Sequence, residues 1–462
     1  MSILITVQAG YVIKGINFIA NPDDLKNFTL ALNEEGVPIS AASMHTSWGG
    51  SGGKNTIVII PSDLFALATC FPVIFPTGPD VFFDIEVRDF HYDQEGGVYV
   101  LCGSRRSNSF THAFVAVIDV GLATMRYNEY AEADMFYSIW AENATFSTLD
   151  YYVCGTSGTH GVIASINTSN LQMTNVYITK DDWEYHKIIA KQISYPPRFI
   201  VSGRNPDCTL LGFAVINPSF TIANTYTWVQ RSEPASHCVV CDHIFEPTKV
   251  VLAYSYQSSV TLNLVSLSSP ILISAYHYSF FSTINTKYNI QDIGMFEVNN
   301  VVDPRISIVG YIEDGNSLRT MAWHGYVLGL STATVMNTNS FFGSVSEEYK
   351  HYKIKGNLVG DEFTGGYYQN GLQMSALFGT PLTFAPFCDH HGVSLVPKYD
   401  EPIYSSFSLS PRDFSYRDYD TFSEQPYPMV FDECTPFKGE EPAPELVMPA
   451  ENESEIITYY DR

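Results

Sequence analysis

Short apolar segments separated by polar turns recur along the chain, and the first segment of each set ends in glycine. The clearest set joins residues 98–103 (VYVLCG) to 111–119 (THAFVAVID), and the next joins 151–155 (YYVCG) to 161–167 (GVIASIN). These runs are short and rich in β-branched and aromatic residues, which is typical of strands, and 3.6-residue helical periodicity is missing. The pattern predicts an all-β chain built from repeats. Further copies follow at residues 199–203 with 211–217, 250–254 with 260–265, 306–310, and 357–360.

The terminal glycines recur about every 50 residues. They are Gly103, Gly155, Gly203, Gly310 and Gly360, with Tyr254 in the gap, and an early copy at residues 11–15 and 28–33 adds Gly15. Three or four short strands in such a period are typical of one β-propeller blade. A lone four-stranded sheet cannot shield both of its faces, so each copy is stabilised by packing against the next, and a closed ring satisfies every copy.

The seven positions in this series predict a β-propeller with seven blades. The stretch between Gly15 and Gly103 is long enough for one more copy, around residues 57–60, so eight blades is the alternative. A further strand precedes each glycine-ended strand and is expected to line the central channel. These inner strands are predicted at residues 85–90, 136–140, 186–190, 238–241 and 288–292.

One repeat also carries a family pattern. Residues 112–121 (HAFVAVIDVG), preceded by 99–103 (YVLCG), resemble the repeat element of bacterial surface β-propeller proteins. The resemblance covers residues 85–220, and the Tyr-rich, Lys-poor, acidic composition is similar to that of proteins from gut Bacteroidales or their phages. It implies an adhesion, scaffold or ligand-binding module with no shared catalytic residues to carry over.

The repeat pattern stops after about residue 395. Residues 402–449 hold eight prolines among Tyr, Ser and Asp, without a periodic apolar face. We therefore expect a propeller over residues 1–395 and an extended, Pro/Tyr-rich, acidic arm over 396–462. This arm is either a solvated, disordered end or a strand that clamps onto the propeller or an assembly partner, and its aromatic residues favour docking.

Charge and export signals narrow the partners and the location. The chain has 25 Lys and Arg against 49 Asp and Glu, a formal net charge of −24, which disfavours nucleic acid as a partner. The most membrane-like stretch, residues 56–75, is interrupted by Pro61, Asp63 and Pro72, so no transmembrane segment is expected. The first ten residues contain no Lys or Arg, and no signal peptide is visible. We expect an extracellular or cell-surface location if a signal peptide was removed, and otherwise a virion or the cytoplasm.

Cysteine and histidine occur together at residues 237–243 (HCVVCDH), a spacing that suggests zinc. On a strand, however, Cys238 and Cys241 point to opposite faces, and His237 lies about 13 Å from Cys241. We therefore predict no metal site and no cofactor. Cys102 and Cys154 occupy equivalent positions in neighbouring copies, too far apart for a disulfide, and are predicted to be free thiols.

Carboxylates on or beside the predicted inner strands are the candidate ligand-binding residues at the channel rim. They are Glu86, Asp89, Asp242 and Asp292, with Trp140 as a stacking surface. A pair of carboxylates about 5 to 10 Å apart, one with a raised pKa, would indicate a glycoside hydrolase. No nucleophile or phosphate-loop motif is present, so no catalytic residue is assigned. The favoured function is a non-catalytic binding or assembly platform for a protein or glycan ligand; a carbohydrate-active hydrolase and a virion structural component are the alternatives.

Overall fold

The computed structural model contains only strands, turns and bends in the part of the chain that it describes, which confirms the all-β prediction. No helix in that part could span a membrane. The described residues are 6–8, 11–19, 25–46, 54–61, 69–72, 83–107, 110–121, 124–141, 150–191, 198–217, 222–229, 236–256, 259–267, 272–279, 286–296, 305–314, 319–328, 334–341, 349–356, 362–368, 371–378, 390–391, 409–411, 416–422 and 430–433.

Two strands come first, β1 (Thr6–Gln8) and β2 (Tyr11–Ile19), and six antiparallel four-stranded meanders follow in chain order. The first three are β3 (Leu25–Leu32), β4 (Pro38–Thr46), β5 (Lys54–Pro61) and β6 (Thr69–Pro72); β7 (Phe83–Asp93), β8 (Val98–Ser107), β9 (Thr111–Asp119) and β10 (Thr124–Tyr130); and β11 (Met135–Trp140), β12 (Asp150–Ser157), β13 (His160–Asn167) and β14 (Met173–Asp182). The next three are β15 (Glu184–Lys191), β16 (Arg198–Arg204), β17 (Leu210–Ile216) and β18 (Ile222–Val229); β19 (Val239–Asp242), β20 (Lys249–Tyr256), β21 (Ser259–Ser266) and β22 (Leu272–Ser279); and β23 (Thr286–Phe296), β24 (Arg305–Asp314), β25 (Arg319–Leu328) and β26 (Thr334–Phe341).

The seventh sheet joins the two ends of the repeat region. It contains β27 (Tyr349–Gly356), β28 (Glu362–Tyr368) and β29 (Gly371–Phe378), and β2 pairs with β29 on its outer side. The first strand of each sheet contacts the next sheet around the ring, and β27 contacts β3. The chain is therefore a β-propeller, and the predicted inner strands correspond to β7, β11, β15, β19 and β23.

The early copy predicted at residues 11–15 and 28–33 is wrong. Strand β2, which carries Gly15, belongs to the seventh sheet, whereas β3 begins the first. Residues 57–60, proposed as a hidden extra blade, lie on β5 of that first sheet. The error arises because ring closure pairs strands that are far apart in the sequence. The described residues form seven sheets, and the blade number of the whole chain stays a prediction.

A β-bulge interrupts the first strand of the sheets and explains the repeated glycine. Gly103 and Gly155 pair with the residues just before the bulges, Val87 and Phe136. A Cβ atom on Gly103 would lie 1.8 Å from the backbone oxygen of Glu86, and the equivalent approaches at Gly155, Gly203 and Gly310 are 1.8 to 2.1 Å. The bulged inner strand therefore leaves no room for a side chain at this position.

Three sheets place a residue other than the predicted one opposite the bulge. In the first sheet, Ser43 pairs with Lys26 before the bulge. In the seventh sheet, Gly366 pairs with His351 before the bulge, whereas the predicted Gly360 lies outside the described residues. In the fifth, Ser236 donates its backbone N–H to Ser255, so Ser255 occupies the position predicted for Tyr254.

The hydrophobic core lies between neighbouring sheets. Each buried cluster combines side chains of two adjacent sheets, as expected if every sheet shields its faces against its neighbours. Cys102 and Cys154 are buried, free thiols, as predicted. Residues of neighbouring sheets that share a cluster, from the first and second sheets onward, include Ile57 and Leu101, Val115 and Val153, Cys154 and Val201, Phe213 and Val250, Leu262 and Ile308, and Phe296 and Ile354.

Four described segments near the C-terminus pair with strands of the ring. β30 (His390–His391) extends the sixth sheet at β26, and β31 (Leu409–Pro411) extends the third at β14. β32 (Tyr416–Phe422) pairs along all of β10 in the second sheet, and β33 (Val430–Glu433) pairs with β2. The division into a propeller and an arm at residue 395 stays a prediction.

Candidate functional site

One side chain from the inner part of every sheet lines a single cavity in the central channel. Six of them are the extra residues of the bulges in β3, β7, β11, β15, β23 and β27. The seventh, His237, lies just before β19. The segment from Ser236 to Val239 is one residue longer than the facing segment from Ala253 to Ser255, so His237 is the extra residue. We call these residues the bulge ring: Asn27, Arg88, Tyr137, His186, His237, Gln291 and Tyr352.

The cavity at the bulge ring is small. Its volume is about 40 Å³, and Val87, Val239 and Lys353 complete its wall. By this measure one water molecule needs about 10 to 15 Å³, so the cavity has room for about three waters or for the edge of a larger ligand.

Four residues of the bulge ring form a continuous aromatic and cationic stack. The rings of His186 and His237 stack with centroids 4.3 Å apart. Tyr137 meets them edge-on, at 5.6 Å from His186 and 6.1 Å from His237. The guanidinium carbon of Arg88 lies 5.3 Å from the centre of the Tyr137 ring. This stack gives one side of the channel flat surfaces bordered by polar edges.

Hydrogen bonds define the protonation of His186. Its Nδ1 accepts the backbone N–H of Cys238 at 3.2 Å, so the proton of the neutral ring resides on Nε2, which faces Glu184 Oε2 at 3.4 Å. Burial lowers the pKa of His186 to about 4 and that of His237 well below its ordinary value. The hydrogen bond from His186, with Arg204 nearby, lowers the pKa of Glu184 to about 2. At neutral pH the two imidazoles are therefore uncharged.

Asp89 occupies the position after the bulge of β7 and ties the second sheet to the third. Its Oδ2 accepts the hydroxyl of Ser138 at 2.6 Å and the backbone N–H of Ile139 at 3.1 Å. Lys353 Nζ lies 3.0 Å from Oδ1. Burial alone would raise the pKa of Asp89, but Lys353 and His91 lower it well below its usual value. The side chain is thus a buried carboxylate.

Asp292 repeats this arrangement after the bulge of β23. Its Oδ2 accepts the backbone N–H of Ile354 in the seventh sheet at 3.1 Å, and its Oδ1 accepts that of Ile293 at 3.0 Å. Lys187 Nζ donates to Oδ1. Burial opposes ionisation here as well, but Lys187 and Lys353 lower the pKa of Asp292.

The remaining predicted site residues lie outside the cavity wall. Glu86 reaches the ring indirectly, through its ion pair with Arg88. Asp242 pairs with Lys191 near the end of β19 and is 47% exposed, and burial raises its pKa. Trp140 packs between sheets against Tyr152 and Phe199. A binding role for any of the five residues stays a prediction.

Sequence reasoning missed the bulge ring because it assumed strict alternation along each inner strand. A bulge adds one residue to the strand, so every side chain after it points to the opposite face of the sheet from the one that strict alternation predicts. The available signal was the repeated glycine, which marks the strand that faces each bulge. In the HCVVCDH segment, His237 lines the cavity, whereas Cys238 and Cys241 are buried in the core. Within the described ranges, no group of three or more His, Cys, Asp or Glu side chains is arranged to hold a metal.

Comparisons with known proteins assign this chain to no family. No protein-family model matches the chain, and no curated protein matches it. Among solved structures it is similar to the Dos1 propeller, with 8% sequence identity, coverage of 81% of this chain and 98% of that chain, and a TM-score of 0.46.

Proposed function

We propose that this β-propeller is a non-catalytic binding platform whose ligand docks at the bulge ring. The observation that carries the proposal is the convergence of one bulged side chain from every sheet on one cavity at the channel. Ligand sites are usually clefts of about 300 to 1,000 Å³ with a few convergent polar groups, so a cavity of about 40 Å³ can hold only one edge of a ligand. The cell-surface or secreted location implied by the repeat resemblance is part of this proposal.

Of the two ligand classes considered, the chemistry of the ring favours a glycan over a protein. Asn27 and Gln291 offer carboxamides, and Tyr137 and His237 offer polar edges on flat rings, so the ring can donate and accept hydrogen bonds without net charge. The charges at the cavity are paired, Arg88 with Glu86 and Lys353 with Asp89. A formal charge of −24 also disfavours large ligands that carry several negative charges. A neutral, hydroxyl-rich glycan end meets these requirements, with the edge of one terminal sugar in the cavity.

The state of the two buried channel carboxylates, Asp89 and Asp292, supports a binding role over hydrolysis. Asp242, whose pKa is raised by burial, pairs with Lys191 outside the cavity wall. Glycoside hydrolysis requires one carboxylic acid that can donate a proton to the leaving group. Asp89 and Asp292 have lowered pKa values, and each binds a lysine and backbone N–H groups. They therefore hold neighbouring sheets together and have no proton to supply at neutral pH.

A glycan array, with the same glycans then incubated in solution to detect released sugars, tests the proposal. We expect wild-type protein to bind neutral glycans and to release no product. His237→Ala removes a ring side chain and should abolish binding, whereas the matched control His160→Ala, at a 40% exposed position on β13, should retain it. Binding by wild type that survives His237→Ala would contradict the site, and released sugars would contradict the non-catalytic role. Binding to peptides but not glycans would contradict the ligand class.

A further inference from the structure

The inner strands bring an unequal number of charges together in the channel. Two carboxylates, Asp89 and Asp292, are bonded to Lys353 and Lys187, which balances these four groups. A third lysine, Lys355, follows on β27 in the same channel and is electrostatically coupled to both aspartates without a hydrogen bond to either. These five groups therefore contain one more lysine than carboxylate, and three other acids on the described inner strands, Glu86, Glu184 and Asp242, each have a cationic partner of their own.

The hydrogen-bonding capacity of Lys355 is largely unused. Within the described residues, its Nζ has one neighbour at hydrogen-bonding distance, His91 Nε2 at 3.4 Å. The same Nε2 lies 3.7 Å from Asp89 Oδ2, so it either points a proton at the aspartate or accepts one from the lysine. An ammonium has three N–H donors, so at least two have no acceptor among these residues in either tautomer.

An unpaired ammonium in a partly buried channel carries a desolvation cost that a bound anion would offset. We propose that the channel holds a small monovalent anion at Lys355, either a halide or a carboxylate. Such an ion accepts the open N–H donors and balances the third lysine. The nearby carboxylates of Asp89 and Asp292 repel a second negative charge, which disfavours sulfate and phosphate. This site is independent of the proposed glycan ligand.

Thermal unfolding with an anion titration tests the site. The sodium salt of a bulky sulfonate, which is neither a halide nor a carboxylate, keeps the ionic strength constant while chloride, bromide, acetate or sulfate replaces it. For wild type, the melting temperature should rise with chloride, bromide and acetate to a plateau, and sulfate should give no such plateau. Lys355→Met keeps the length of the side chain and removes the charge, so the affinity should fall by about 10- to 100-fold, as expected for loss of a charged hydrogen bond. Lys287→Met, at a 52% exposed lysine outside the channel, should behave like wild type.

Crystals of the wild-type protein grown with bromide give a second readout that does not depend on the folding of a variant. We expect an anomalous peak beside Lys355 Nζ. A water molecule in its place, or equal titration curves for wild type and Lys355→Met, would overturn the proposal.

Discussion

Replacing Asp89 by Asn tests whether the channel carboxylates hold the ring together. The substitution keeps the shape of the side chain but removes the charge that pairs with Lys353, and it leaves one oxygen where two now accept hydrogen bonds from Ser138, Ile139 and Phe90. Asp89 is 2% exposed, so water cannot replace these partners. Removing one partner of a buried ion pair costs about 3 to 5 kcal/mol.

Urea unfolding followed by tryptophan fluorescence measures this loss. We expect the midpoint to fall for Asp89→Asn and to stay unchanged for the control Asp207→Asn, whose side chain lies in an exposed turn. The double variant Asp89→Asn/Lys353→Met should be more stable than the sum of the single losses implies, because it leaves no unpaired buried charge. The coupling energy should be about 0.5 to 3 kcal/mol.

The pH dependence of stability tests the role of Asp89 independently. The pKa of Asp89 is lower in the folded protein than in the unfolded chain, so its contribution to stability is complete above about pH 4 and is lost as the pH falls towards the folded value. Asp89→Asn should lose this part of the acid dependence. A midpoint equal to that of Asp207→Asn, or additive single and double variants, would refute the role of Asp89 as a tie between sheets.

Three further predictions concern the bulges, the imidazoles and the C-terminal strands. Gly155→Ala should destabilise the protein by about 1 to 3 kcal/mol in urea unfolding, since the alanine Cβ would lie 1.8 Å from the backbone oxygen of Met135. The control Gly121→Ala should leave the stability unchanged, and equal midpoints for the two variants would contradict the steric argument. His186 has a pKa of about 4 in the folded protein and about 6.5 in the unfolded chain. The free energy of unfolding should therefore fall by up to about 3 kcal/mol as the pH drops from 6.5 to 4. An NMR titration that shows an unshifted pKa for His186 would contradict this prediction. In limited proteolysis, β32 should resist cleavage because it pairs along the whole of β10, and rapid trimming to about residue 400 would show that the pairing does not persist.

The repeat and most of the inner strands could be predicted from sequence because packing between sheets imposes the same apolar pattern on every copy. The first copy could not be predicted from sequence, since β2 pairs with β29, which is more than 350 positions away in the chain. The same limit applies to the site. Asp89 and Asp292 were identified as acids on inner strands, but their lysine partners come from other sheets, and no local pattern links Asp89 to Lys353.

The bulge assigns different roles to consecutive residues of the inner strand. The residue in the bulge lines the cavity, as Arg88, Tyr137 and His186 do.

The residue after the bulge turns towards other sheets, where Asp89 binds Ser138 and Lys353, and Asp292 binds Lys187. These contacts join sheets across the ring, and among the bulge residues His186 also accepts the backbone N–H of Cys238 from the next sheet. If the bulge ring binds the proposed ligand, substitutions at Asn27, Tyr137 or Gln291 should alter ligand choice more than stability, because the polar contacts of Asp89 and Asp292 lie one position further along their strands.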